Sequence, residues 1–428
     1  MKAVHTSLRY SIYDAVAWSV MQGAGINYVT PFIVLGGKGL FYVAAIVGVP
    51  PLAGAVVQWL AANLTDRVGR RTPIIVSGAV GQALTWAPMC AAIFLPFDRV
   101  GYWVILAAFV ASLACGNFGT PAWQSVMGDL VPSERRGRYF GLRNGISGAA
   151  LTGAFFAGGA WLSLCDRTPS LGLLGLTSRN FGFLVLFAVA GVARLISSWY
   201  LSRIWEPEYL RQPADSFSLL DFIRRAPRAH FGRFVFYCAI MNAGLGLVVP
   251  FLPWYLLDQL GFGPGAFALI LSVGTLANYA SQPLWGHLLD RVGSKRVLAI
   301  GGVGLVLVPV LLSVSSHLVS LLIIMAYDGL VSGAFNNAVG NYLYDAVTPP
   351  KRARCAAYYN LFAAGGTLAG CLGGALLGEI VRLPLVLPGL TIVQPFSLML
   401  VASVIVRLLA NLSLLGSFAE FRLSRPRF

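Results

Sequence analysis

Two carboxylates stand inside stretches of sequence that are otherwise apolar. An ionised group near the centre of a membrane helix costs at least ~2.5–3.5 kcal/mol, so it usually has a task. Asp328 sits in the middle of the apolar stretch 318–343, with Ser332 and Asn336 at i+4 and i+8, which gives a helix one polar stripe. A carboxylate placed so can hold a proton or a cation, pair with a cationic group of a solute, or lock one helix to another. Asp14 lies near the start of the stretch 11–35. It can snorkel to an interface or face a cavity. Trp18, Gln22, Gly25 and Ile26 continue its helical face, with Asn27 and Tyr28 further along. Asn117, Trp123, Gln124, Tyr237, Asn242, Asn337 and Asn341 are further polar groups on apolar stretches. Each is either a solute contact or a hydrogen bond between helices.

The elements that must position these residues are membrane helices. The 428-residue chain is 57% hydrophobic and 11% charged, with a mean hydropathy of +0.73. That leaves too little polar surface for a soluble domain and fits lipid as the solvent. The apolar runs are too long for the alternating strands of a barrel. A span needs about 20 apolar residues. Twelve such stretches occur, near 11–35, 40–64, 73–95, 101–127, 141–164, 181–203, 233–257, 265–288, 297–315, 318–343, 355–379 and 394–417. With Asp14, Gln22 and Asn27 inside it, the first reads as a span rather than a cleavable signal.

The formal net charge of +15 would suit nucleic acid if it were clustered, but it is distributed by side. With both termini placed in the cytoplasm, 24 of the 31 Lys and Arg residues fall on inner segments. Such a bias is what positive-inside topology requires, and one missed span would invert every later loop. The expected partners are therefore the lipid bilayer and a small solute or ion, with no nucleic acid and no identifiable protein partner. Six cysteines show no CxxC or metal spacing and read as small apolar residues. No Walker motif, no metal site and no cofactor-binding or nucleophile motif occurs, so the chain reads as neither an enzyme nor an ATP-driven pump.

The chain repeats itself. Asn63 to Arg71 (NLTDRVGRR) returns as His287 to Arg296 (HLLDRVGSKR), and Asp129 to Arg138 (DLVPSERRGR) returns as Asp345 to Arg354 (DAVTPPKRAR). Asn144 then pairs with Asn360, and Arg194 with Arg407. Two homologous six-helix bundles are expected, 1–203 and 233–428, joined by a cytoplasmic linker, 204–232, whose segment 217–225 reads as an amphipathic helix on the inner membrane surface.

The loops after the second and eighth spans resemble the G-x-L-a-D-R-x-G-R-[KR] signature of the major facilitator superfamily, with Ala62 and Ser294 as departures. The resemblance covers nearly the whole chain. It implies an all-α fold of twelve transmembrane helices in two pseudo-symmetric six-helix bundles, and a multi-pass protein of a bacterial inner membrane or a membrane derived from it. It further implies secondary transport by alternating access, with ion or proton coupling. By that resemblance Asp66, Arg67, Gly69, Arg70 and Arg71, and in the second copy Asp290, Arg291, Gly293, Lys295 and Arg296, form a cytoplasmic gate. Asp129, Arg135, Arg138, Asp345, Lys351 and Arg354 are their second-tier partners. The alternative is that these charges set topology alone.

Helices one, four, seven and ten line the cavity in this superfamily, which places Asp328, Asp14 and the amides there. Arg194 and Arg407 fall on outer helices and read as structural ties. With no matched cavity arginine, a small polar or cationic solute is expected rather than an organic phosphate. The fifth span has no Pro between Asn144 and Leu164, a departure from the antiporter signature that weakens a multidrug/proton antiporter. The opening segment Leu8 to Trp18 resembles the magnetosome-membrane branch, which would imply iron as cargo, although iron needs several oxygen or imidazole ligands together. A membrane scaffold that kept the fold without transport is the competing class.

Overall fold

The computed structural model describes residues 2–61, 69–131, 136–171, 173–207, 218–347, 352–380, 386–387, 390–391 and 395–420. Among these, ten helices are long and apolar enough to cross a membrane. They are helix two (Leu40–Ala61), three (Thr72–Ala92), four (Phe97–Leu130), five (Tyr139–Arg167), six (Ser178–Ser202), seven (His230–Gln259), nine (Ser294–Ser313), ten (Leu318–Leu343), eleven (Arg354–Ile380) and twelve (Phe396–Leu414). Helix one (2–35) and helix eight (Pro264–Val292) complete twelve; polar residues such as Asp14 and Gln22, or Asn278 and Gln282, dilute their apolar character. Each of the twelve expected stretches thus falls on a helix among the described residues. A two-residue antiparallel pair, Val386–Leu387 with Leu390–Thr391, lies between helices eleven and twelve.

Helix six shows which solvent the fold is built for. It exposes Val192, Ile196 and Trp199 and buries Arg194, Ser197 and Ser198. Polar inside and apolar outside is the arrangement lipid selects, because a buried polar group finds a partner there and a lipid-facing one does not.

Helix one is not uniform. An α-helix, Lys2–Met21, passes through a π-helical turn, Gln22–Ile26, into a second α-helix, Asn27–Leu35, which carries Pro31. Gly23 and Gly25 lie in that turn. A Cβ on Gly25 would strike the Trp86 ring, and one on Gly23 would lie 2.6 Å from the Leu151 carbonyl oxygen. Pro250 stands in a 3-10 turn, Val249–Phe251, within helix seven.

The described chain forms two compact units. The first comprises Met1–Arg211 with Pro253–Ser272, and the second Gln212–Leu252 with Val273–Phe428. In the first, helix one packs on helices five and six, helix two on four, and helix three on four and six. In the second, helix seven packs on eleven and twelve, and helix nine on ten and twelve. The seven–eleven contact is unusually close: Gly366 and Gly370 face the backbone of Ala239 and Ala243, where a Cβ would collide with a carbonyl. Small residues let backbones approach in this way.

In the segment joining helices six and seven, a short helix, Leu219–Arg225, opens on a capping box between Ser218 and Asp221. It exposes Leu220 and Ile223, while Phe222 stacks on Tyr358 with ring centroids 5.2 Å apart.

Candidate functional site

Asp14 does not reach for an interface. It is 4% exposed and held inside the first unit. The Ser197 hydroxyl donates to its Oδ1 at 2.6 Å, and Arg194 Nη1 donates to the same Ser197 oxygen at 2.6 Å. Arg143 of helix five brings Nη2 to 3.5 Å of Asp14 Oδ2, and its guanidinium lies over the Trp123 ring at 4.7 Å. Asp14, Trp18, Trp123, Arg143 and Arg194 line a cavity of ≈ 220 Å³. Arg194 of helix six lines this cavity and also, through Ser197, links helix six to helix one. Its place in the wall escaped sequence reading because periodicity along helix six alone does not show which neighbour its buried face meets.

The second unit repeats the theme with different geometry. Asp328 on helix ten is half-buried, with Ser332 one turn on. Arg407 is 2% exposed; its Nη1 donates to the Leu305 carbonyl at 2.5 Å and its Nη2 to the Gly244 carbonyl at 3.3 Å. Helices six and twelve thus each carry a buried guanidinium, linked through Ser197 to Asp14 in one unit and held by backbone carbonyls in the other.

A further pair of clusters stands at the helix ends that carry the basic loops. Gly69 has φ +69°, a left-handed turn that favours glycine. Arg71 follows, fully buried: Nη1 bonds Asp129 Oδ2 at 2.5 Å and Ser125 Oγ at 3.0 Å, Nη2 the Pro207 carbonyl at 2.7 Å, and Nε lies 3.4 Å from Glu206 Oε1. Glu206 also accepts the backbone N–H groups of Arg71 and Thr72, at 2.6 and 3.1 Å. Partial burial works to raise the Glu206 pKa, but these bonds outweigh it and hold the carboxyl below its usual range. In the second unit Gly293 has φ +94°, Glu420 accepts the Lys295 backbone N–H at 2.9 Å, Lys295 Nζ donates to the Phe418 carbonyl at 2.5 Å, and Ser294 donates to Asp345 Oδ2 at 3.1 Å. Sequence reasoning missed Glu206 and Glu420. The signal was present: each lies a few residues past the end of a matched helix, six or twelve.

A family model described as the Major Facilitator Superfamily matches residues 15–228 and again 229–416. The chain belongs to the Major Facilitator Superfamily. Among curated superfamily relatives, the multidrug resistance protein MdtG of Proteus mirabilis (strain HI4320) is 30% identical over 151 residues, covering 34% of this chain and 35% of that protein. MdtG of Salmonella typhi is 32% identical over 148 residues, 33% and 34% of the two chains. The chain therefore spans about a third of the length of these curated relatives. Solved superfamily folds align over almost everything: the nucleoside transporter NupG at TM-score 0.70 and 14% identity, covering 97% of this chain and 100% of that one. A bacterial homologue of the human lysosomal transporter Spinster, inward-facing and unoccupied, aligns at 0.68 and 14%, covering 97% and 96%. A bacterial metal transporter aligns at 0.61 and 17%, covering 97% and 98%.

The remaining superfamily positions divide. Asp66, Arg67, Arg135 and Lys351, and the Arg138 side chain, lie outside the described residues. Arg70, Arg291 and Arg296 are exposed, while Asp290, Arg291 and Arg354 each engage a partner. Gln22 and Asn27 are half-buried at the π-helical turn and its end. Asn117 and Asn242 turn back on their own helices, donating to the Leu113 and Cys238 carbonyls at 2.9 and 2.8 Å. Gln124 and Asn336 are exposed, and Asn341 donates to the Asn337 carbonyl at 2.9 Å. Tyr237 donates to Asn411 at 3.0 Å.

Proposed function

We propose that this chain is a secondary transporter that moves a small organic solute across a bacterial inner membrane by alternating access, with its termini in the cytoplasm. Transport would be coupled to protons or another ion through Asp328 and Asp14. The observation that carries this reading is an acid among apolar helices in each unit, Asp14 set against Arg143 at 3.5 Å and linked through Ser197 to Arg194, and Asp328 half-buried on helix ten. An acid balanced against a guanidinium at membrane depth has two charge states of comparable cost, which is what a site that loads and releases an ion needs. The basic helix ends would serve as the gate, with Arg71, Asp129 and Glu206 in one unit and Lys295, Asp345 and Glu420 in the other. Iron, which the magnetosome likeness would imply, fits less well. Among the described residues no group of three His, Cys, Asp or Glu side chains comes together, and Asp14 is already engaged by Arg143.

The test is reconstitution into liposomes containing a pH-sensitive dye, challenged with a panel of organic solutes and metal ions. Solute-dependent proton movement that Asp328→Asn abolishes supports the reading. No flux with any solute, together with a tightly bound protein partner, replaces it with the scaffold.

A further inference from the structure

The cavity inside the first unit carries an imbalance of charge. Arg143 lies 3.5 Å from Asp14, and Arg194 reaches the same carboxylate through Ser197. Two guanidinium groups thus face one carboxylate. Arg194 Nε and Trp123 Nε1 find no hydrogen-bond partner among the described residues. Both side chains line the cavity, and Arg194 is 6% exposed. An unmatched positive charge at the cavity wall and two buried, unused donors are costly to leave as they are. The ligand that answers all three is an acceptor bearing one negative charge. Trp18 and Trp123 in the wall favour a planar body. A volume of ≈ 220 Å³ is that of about seven waters, which limits the ligand to a small molecule.

We infer that this cavity is a binding subsite for a small planar monocarboxylate, whose carboxylate sits against Arg194 and Arg143 and whose ring lies beside the tryptophans. The inference rests on the transporter reading for its purpose and not for its chemistry. It revises the expectation of a cationic solute, which was formed without Arg194 in the wall.

Three isosteric probes separate the charges: benzoate, neutral benzamide and cationic benzamidine, titrated calorimetrically into the full-length protein in detergent and followed by thermal unfolding. Benzoate is expected to bind saturably and raise the unfolding temperature, with benzamide and benzamidine at least roughly tenfold weaker. Arg194→Lys keeps the charge, loses the fork and weakens benzoate roughly tenfold. Trp123→Phe keeps the ring, drops the N–H and weakens benzoate by roughly threefold to tenfold, and it decides the matter if Arg194→Lys does not fold. Benzamidine binding as well as benzoate, or benzoate binding unchanged in a folded variant, overturns the inference. Absence of benzoate binding alongside liposome flux of another solute removes this subsite and leaves the transporter standing; benzoate binding with no flux of any solute does the reverse.

Discussion

Glu206 caps the start of helix three by taking the Arg71 backbone N–H at 2.6 Å, while the Arg71 side chain reaches past it to Asp129. The first N–H groups of a helix have no partner within it, and a carboxylate there meets both the free donors and the positive end of the helix dipole. Glu420 does the same for Lys295 in the second unit. The capping contact is thus present twice, although Arg70-Arg71 precede helix three while Ser294-Lys295 open helix nine.

Glu206→Gln is expected to lower stability by about 1–2 kcal/mol, the scale of hydrogen bonds to a charged group at a partly exposed site. The sign of its pH dependence is fixed by the depressed pKa. The contribution is fully present above the ordinary carboxylate value of 4.5 and is lost as pH falls through the lower folded-state value. Thermal unfolding of both proteins between pH 7 and pH 3 checks this: their difference should shrink with acid. A constant difference would place the effect in packing.

Arg71→Ala removes a fully buried guanidinium that binds a carboxylate, a hydroxyl and a carbonyl. The expected loss is about 3 kcal/mol, since its partners are left without a counter-charge. Arg71→Lys should recover part of it, because a point charge cannot serve three directions at once. Chemical denaturation in detergent measures the order wild type, Lys, Ala.

The two membrane acids should respond differently to neutralisation. Arg407 is anchored on the Leu305 and Gly244 carbonyls rather than on Asp328. Asp328→Asn is therefore expected to cost within about 1 kcal/mol of stability while abolishing proton-linked flux. Asp14→Asn leaves Arg143 and Arg194 facing each other without an anion and should cost about 3 kcal/mol. Unfolding curves for both variants, set beside liposome flux, decide the point.

Gly370→Val should be severely destabilising, by about 3 kcal/mol or more, because its side chain would enter the Ala243 backbone. Gly365→Val, where a Cβ meets nothing within 4 Å, should be near neutral. Equal effects would mean that helix propensity, not the close approach of helices seven and eleven, governs this segment.

Helices were the most legible part of the sequence, since a bilayer demands long apolar runs and the basic residues punctuate them. The repeated Asp-Arg-x-Gly loops marked the family. Asp14 and Asp328 stood out as charges in apolar surroundings, and Asp14 proves to be partnered by Ser197 and Arg143. What escaped was anything set by how helices turn toward one another: whether Asp14 points inward, whether Arg194 faces a cavity, and which carboxylate caps helix three. Those follow from rotation about helix axes, and a purely apolar pattern fixes that rotation weakly because lipid and core are alike in polarity. Asn117 and Asn242 show the converse, since their sequence positions suited a cavity but their amides satisfy local carbonyls.

The π-helical turn at Gln22–Ile26 bears on where helix one can present its chemistry. Accommodating one additional residue in a turn shifts the angular phase of everything beyond it by about 100° relative to an unbroken α-helix. A helical wheel drawn straight through from Asp14 therefore misplaces Asn27 by more than a quarter revolution. The two α-helical parts of this one helix accordingly address different neighbours: Lys2–Met21 lies against helices five and six, and Asn27–Leu35 chiefly against helix two.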